Sequence, residues 1–375
     1  METVMRFLID RDLSGQPLSD EVQPENIGRR QFIRGTGALL GVGLGAGLLG
    51  HSSAWAQQPG GELLVSNWGG DWNNNVINAL EQPELESKGI KILRDLAAAP
   101  ARKTKILAER NLPRGSVDVA HFTDADAFEL NQQGVLEELD YSKIPNASHL
   151  LPGVQKPYFI PFYISGVVLI YNKNKIKTPP TSFADLMNPE YAGKVGLIDQ
   201  IYFNYFLAMG LLNGGSMSNA EPALEKLRQL KKAVQPRIYP SHQQAAAAMA
   251  SEEIWITANY NARAAQWKAE GLPVEAAYPK EGAIGFEGGV CMPKRARNKD
   301  NAYRYLNAML LPSVAQKIAK ATYYAVPIDN AALPPEMAAI DFTPEQRSRI
   351  NRVDLGYTAK NQAAWLDWWN KEIKV

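Results

Sequence analysis

Two tryptophans, Trp68 and Trp72, flank Gly69-Gly70 shortly after the apolar run Leu63-Leu64-Val65. Lacking Cβ atoms, the two glycines let a small molecule approach the backbone. Exposed indoles beside them would stack on a planar group or attract a cation. Further along, Asp71, Thr123, Asp124, Asp126, Asp199 and Glu287 supply carboxylates and a hydroxyl at comparable places after short β-rich runs. Each of these alone also suits a helix cap or a turn, but together they favour a positively charged ligand. Tyr163, Tyr202, Tyr260 and Phe286, with Asn259 beside them, add aromatic faces able to surround a ring or a quaternary ammonium. Arg263 follows Asn259-Tyr260 and offers either a partner for an anionic group or an ordinary surface charge.

A catalytic constellation is harder to find. Past the N-terminal region the histidines are His121, His149 and His242, widely separated and without the spacing of a zinc site. No G-x-S-x-G elbow, P-loop or G-x-G-x-x-G follows a strand. Asp124 and Asp126 form an acid pair, but carboxylates two apart on a helix do not face each other. A secreted hydrolase is therefore the weaker alternative, no cofactor or metal is implied, and the expectation is a binding protein.

Positioning such residues calls for alternating strands and helices. Leu63-Leu64-Val65 precedes a helix near 74–81, Ile90-Lys91-Ile92-Leu93 one near 101–111, and Val117-Asp118-Val119 one near 125–133. After Pro161 a second series contains Val167–Tyr171, Val195–Ile198, Ile254–Thr257 and Val274–Tyr278. This alternation predicts two mainly parallel sheets with crossover helices. Ligands in open α/β sheets bind beyond the carboxyl ends of strands, which selects the loops after Val65, Val119, Ile198 and Ile256. Ser218 and Glu221 fit a capping box for a helix over 220–233, Pro312 separates helices over 300–310 and 313–321, and Trp365, Trp368 and Trp369 share the apolar face of a last helix over 358–373.

Composition narrows the partners. The 375 residues carry 40 basic and 39 acidic side chains, interspersed, so no basic face is available for nucleic acid. The single cysteine, Cys291, lies between Val290 and Met292 and reads as a buried apolar residue. At the N-terminus, Gly28-Arg29-Arg30-Gln31-Phe32-Ile33-Arg34 resembles a twin-arginine export motif. A glycine-rich apolar stretch, Thr36–Gly50, follows; it is too short for a membrane-spanning helix. Ala54-Trp55-Ala56 then places cleavage before Gln57. Residues 1–56 are thus expected to be a signal peptide recognised by the twin-arginine translocase and removed on export to the periplasm.

The order of short motifs resembles the family 1 bacterial extracellular solute-binding proteins, most closely their spermidine/putrescine-binding branch. The pieces are Asn67-Trp68-Gly69-Gly70-Asp71-Trp72, the stretch Val117–Leu139, Ile160–Gly166 followed by Leu169–Asn172, Pro180–Leu186 with Tyr191–Val195, and Tyr278–Gly282 with Met292-Pro293. They run in order from about residue 62 to 330. The resemblance implies an α/β, type II periplasmic-binding-protein fold: two α/β lobes joined by hinge strands near 163–168 and 283–289, with the ligand cleft between them. Lobe 1 would comprise 57–164 and 287–332, and lobe 2 would comprise 165–286 and 333–375. It also implies a monomeric receptor that delivers a small molecule to an ABC permease in the inner membrane, or one that presents its ligand to a sensor without a transporter. The sequence departs from the polyamine pattern where acidic residues are expected: Gln200 and Phe203 stand in the loop after Ile198, and the acid near Phe286 is displaced to Glu287 and followed by Gly288. A buried amine without carboxylates would forfeit several kcal/mol of solvation, so an aromatic or quaternary amine is kept beside polyamines. Tyr323-Tyr324 invite comparison with ferric-ion receptors but precede Ala325-Val326-Pro327, outside the strand-end loops, and read as packing residues.

Overall fold

The computed structural model describes residues 60–375; the export motif, apolar stretch and cleavage site read from residues 1–56 lie outside the described residues. In chain order the strands are β1 Glu62–Asn67, β2 Lys91–Leu96, β3 Val119–Thr123, β4 Ile160–Asn172, β5 Val195–Ile198, β6 Arg237–Tyr239, β7 Ile256–Tyr260, β8 Val274–Ala277 and β9 Ile284–Cys291. The helices that concern the site are α1 Gly70–Val76, α2 Ala99–Ala108, α3 Asp124–Gln132, α4 Tyr202–Leu211, α5 Ala223–Val234, α6 His242–Ala250, α7 Asn261–Ala269, α8 Lys299–Ala308, α9 Pro312–Thr322, α10 Pro344–Ser348 and α11 Leu355–Glu372.

Where the alternation of elements predicts two sheets, the hydrogen bonding runs unbroken through one, in the order β2-β1-β3-β9-β4-β7-β5-β6, with β8 also paired to β4. The reason is β4. Its thirteen residues are all buried, and its first half pairs antiparallel with β9 from Ile160↔Val290 to Val167↔Ile284, while its second half pairs with β7 and β8. On either side of this ribbon the strands are parallel: β1 with β2 and β3, β5 with β6 and β7.

Two apolar cores flank the ribbon. One gathers Leu63, Val65, Val119, Tyr305, Leu306 and Ile318; the other gathers Leu169, Leu197, Phe206, Leu227, Ala258 and Trp369. We call the elements around them the first and second lobes. Phe286, on β9, packs against both cores. Trp365 and Trp369 are buried as their helical spacing predicts, Trp369 stacking on Tyr205 at 5.6 Å. Cys291 is buried as well.

Local chemistry shifts several boundaries. The capping box expected at Ser218 does not form: the Ser218 hydroxyl pairs with Ser216, and α5 begins at Ala223 after Pro222 without a side-chain cap. Pro312 stands at the first position of α9, where its missing N–H costs nothing. The strand read at Val117 begins at Val119 because Asp118 is taken up as a clamp, its carboxylate accepting from Leu64 N, Arg297 N and Asn298 N.

Candidate functional site

β3 ends at Thr123 opposite Gly288 of β9, and β7 ends at Tyr260 opposite Val167 of β4, so the carboxyl ends of both lie beside the β4–β9 ribbon. The helices that follow these strands begin there. Side chains at these ends form an aromatic chain across the junction of the lobes. Trp68 meets Trp72 edge-on at 6.1 Å, Trp72 meets Tyr163 at 4.9 Å, Tyr163 lies 6.1 Å from Phe286, and Phe286 stacks on Tyr260 at 4.8 Å. Tyr324, which the sequence assigns to packing, stacks on Tyr163 at 4.3 Å and joins the chain. Nothing in the local pattern marks it, because it reaches the junction from the left-handed turn at Tyr323 that ends α9.

Gly288 makes this arrangement possible. Opposite Tyr163 in the ladder, it leaves room for the phenol ring, which a Cβ at 288 would overlap. The acid expected near this place cannot stand at 288 without displacing Tyr163. It stands at Glu287, which by strand alternation projects from the other face of the ribbon. There Glu287 pairs with Lys156 and lies 4.0 Å from Arg352. On this face opens a cavity of about 470 Å³ lined by Asp124, Lys156, Ser165, Phe286, Glu287 and Arg352 among others, a size typical of small-molecule sites.

Asp124, half-buried at the start of α3, lies between that cavity and the tyrosines. Burial first and the Glu287 carboxylate second push its pKa up to about 7, with Lys156 opposing. Burial raises the Tyr163 and Tyr260 hydroxyls far above the ordinary phenol range, so both are neutral donors. Thr123 caps α3, accepting from Asp126 N and donating to the Asp126 carboxylate.

The two tryptophans are unequal. Trp72 donates to Asn67 Oδ1 at 3.0 Å and packs among His121, Phe162 and Tyr163, so it forms the wall of the first lobe. Trp68 is half-buried, and the guanidinium of Arg102 lies 4.7 Å from its ring. Arg102 escaped the sequence reading because a basic residue in α2 looks like a solvated one. It is fully buried, its other face against Phe122 at 4.5 Å, and it donates to Ala97 O at 2.8 Å and His121 O at 2.5 Å. Burial lowers its pKa only to about 10, so it stays charged. Asp71 is exposed in the first turn of α1.

Asp199 and Tyr202 are not brought to the aromatic chain. Asp199 accepts from Trp369 Nε1 and Lys374 Nζ, each at 2.8 Å, and the Tyr202 hydroxyl donates to Gln362 O at 3.0 Å. Both fasten α4 to the returning helix α11. Asn259 is fully buried and its Oδ1 accepts from Tyr260 N. Among the described residues no group of acids, histidines and cysteine is arranged to hold a metal. His121 is sealed against the Tyr305 hydroxyl at 2.6 Å.

These features, two α/β lobes on a shared ribbon with aromatic residues at the junction, define a ligand-binding architecture. The family model of a bacterial extracellular solute-binding protein matches residues 81–342, and the chain belongs to that family. It is 27% identical to the spermidine/putrescine-binding periplasmic protein of Escherichia coli (strain K12) over 311 residues, covering 78% of this chain and 86% of that protein. A gamma-aminobutyric acid-binding protein of Pseudomonas aeruginosa is 25% identical over 239 residues, 60% of this chain and 66% of its own. The crystal structure of an ABC transporter protein from Clostridium perfringens superposes with a TM-score of 0.74 at 22% identity, covering 83% of this chain and 99% of its own. The type II periplasmic-binding fold and the solute-binding family, both expected from the motifs, are borne out, and the resemblance to spermidine/putrescine-binding proteins recurs in the Escherichia coli relative. The chain is a binding protein and not an enzyme.

Proposed function

We propose that this protein is the periplasmic receptor of an ABC importer and that it closes its two lobes on a small solute carrying an amine. The observation that carries the reading is the aromatic chain from Trp72 through Tyr163 and Phe286 to Tyr260, which joins the two lobes at the strand ends. Relatives that bind spermidine, putrescine or gamma-aminobutyric acid support an amine-bearing cargo. In this reading Trp68, Asp124, Tyr163, Tyr260, Phe286 and Tyr324 touch the ligand, with Asp124 its anionic partner. Trp72 and Asn259 shape the walls, while Asp71, Thr123 and Glu287 lie at the rim. Asp199 and Tyr202 serve the scaffold. The sequence-derived lobe boundaries, export through the twin-arginine translocase and a monomeric state belong to the same proposal.

Closure follows from differential affinity: a ligand touching both walls stabilises the closed form by the contacts that the open form lacks. A thermal-shift screen of the purified protein against polyamines, choline and betaines, amino acids and sugars tests the reading. Ligand at 100 times its Kd adds about 2.7 kcal/mol to stability, so one amine class should raise the midpoint by several degrees. A folded protein with no shift for any amine-bearing compound would sink it.

A further inference from the structure

The cavity on the Glu287 face of the ribbon holds more charge than the contact with a cargo amine uses. Asp124 and Glu287 supply two carboxylates to its lining, and Lys156, Arg347 and Arg352 supply three cations. The pairing among them is uneven. Arg347 is taken up by the Asp341 carboxylate and by Phe342 O at 2.9 Å. Arg352 donates its terminal nitrogens to the Pro152 and Gly153 carbonyls and stands 4.0 Å from Glu287. Glu287 also accepts from Lys156. Asp124, by contrast, forms no ion pair among the described residues and accepts from Ala125 N at 2.9 Å.

Lys156 differs from a surface lysine that happens to reach an acid. Its side chain is 20% exposed and that of Glu287 13%. The main chain around it is fixed: the Tyr141 hydroxyl donates to Lys156 O at 2.6 Å, Leu139 N donates to Pro157 O at 2.7 Å, and a bridge closes between Lys156 and Phe159. The ammonium lies 5.5 Å from the centre of the Phe159 ring, which is itself fully buried. A carboxylate and an aromatic face around an ammonium are what an amine cargo needs in exchange for its water. The protein already fills one such place with its own side chain. Glu287 and Lys156 both lie near enough to Asp124 to act on its titration, in opposite senses, so the tethered ammonium and the open carboxylate belong to one site.

Resting on the amine-receptor reading, we propose that Lys156 is a specificity-determining residue that sets how many positive charges the cargo carries. By occupying Glu287 it leaves Asp124 as the one open carboxylate, and a single ammonium completes the set. The second ammonium of a diamine meets a Glu287 that is already neutralised, with the Lys156 charge beside it, so it gives up solvation without gaining a partner. The acid that the polyamine pattern places near Phe286 is thus present in this chain at Glu287 but taken up internally.

Calorimetric titration of the full protein with n-alkylamines and α,ω-diamines of three to six carbons tests this. In the unaltered protein no diamine should bind more than threefold tighter than the alkylamine of its length. Lys156→Met should tighten the best diamine at least tenfold and change alkylamine binding less than threefold, whereas Lys156→Arg, which keeps the charge, should behave as the unaltered protein. Removing one member of a half-buried pair strains the fold, so Lys156→Met combined with Glu287→Gln is measured beside it, and there the gain should vanish. The comparison of the two series in the unaltered protein stands whatever the stability of the variants. A diamine more than threefold tighter than its alkylamine in that protein would overturn the role of Lys156 while leaving the receptor reading intact. Unchanged diamine affinity in a folded Lys156→Met variant, or a gain that survives the loss of Glu287, would do the same. Binding of neither series by the unaltered protein or the variants would overturn both.

Discussion

Arg102 and Arg263 put the same side chain in the two lobes, one fully buried against main-chain carbonyls and one half-buried against a side chain. Arg102 is buried between Trp68 and Phe122; its Nε and one terminal nitrogen donate to the carbonyls of Ala97 and His121, and its other terminal nitrogen has no partner among the described residues. It fixes the strand ends and the tryptophan above them. Arg263 is half-buried, bonded to Gln266 alone. The helices differ in the same sense: α1 and α3 carry Asp71, Asp124 and Asp126 in their first turns, whereas α4, α6 and α7 carry no acid there.

The largest test of the contrast is Arg102→Leu. Orphaning two buried carbonyls and removing the stacking partner of Trp68 should cost about 3 kcal/mol, read as a lower urea midpoint, whereas Arg263→Gln should cost less than 1 kcal/mol. Equal losses would erase the distinction. Gly288→Asp comes next: its side chain overlaps Tyr163, and overpacking of this kind costs about 1–3 kcal/mol. If the aspartate instead left stability unchanged and strengthened diamine binding, the ribbon would be far more compliant than its packing implies. Trp68→Ala should weaken ligand binding at least tenfold, about 1.4 kcal/mol, in a protein that remains folded. Unchanged affinity would remove Trp68 from the site.

The smallest effect is in pH. Asp124, with a pKa of about 7, faces Glu287 on β9, Lys156 on the preceding loop and the neutral hydroxyls of Tyr158, Tyr163 and Tyr260. It is mostly protonated at pH 6 and mostly ionised at pH 8. Affinity for an amine that itself stays protonated should therefore rise by up to about tenfold over that range, with proton release on binding below pH 7. The sign for stability is the reverse: a carboxyl whose folded pKa exceeds its unfolded one loses stability as pH rises from about 4 to 7. Asp124→Asn should flatten both profiles, and a binding profile that stays steep in that variant assigns the titration elsewhere.

Much of this was legible in the residues. Alternating apolar runs and helical periods gave the α/β class, because burial on both faces writes parallel strands as continuous Val/Ile/Leu segments. The rule that ligands sit beyond strand ends selected Trp68, Asp124 and Tyr260, and the motif resemblance added Phe286; the structure places their side chains near the lobe junction. The same rule named Asp199 and Tyr202, whose side chains bond instead to the returning helix, because a strand-end loop does not show that a helix 160 residues later covers it. The unbroken sheet was hidden for a related reason. From the residues the strand starts at Val167, after Pro161, and only its pairing with β9 shows that the extended chain begins before the proline. Arg102 could not be told from a surface arginine, since its partners are main-chain carbonyls, which every sequence contains.

The chain has one cysteine, and it lies buried against the Ala120 carbonyl with its pKa pushed up to about 12 by burial. At neutral pH it is a shielded thiol rather than a nucleophilic thiolate. The molecule is therefore silent toward maleimides as it stands. Cysteines introduced at exposed Gln132 in α3 and Lys360 in α11 would be the two reactive points, one on each lobe. A dye pair there would report the opening and closing of the cleft in solution, molecule by molecule, against a background that requires no removal of a native residue.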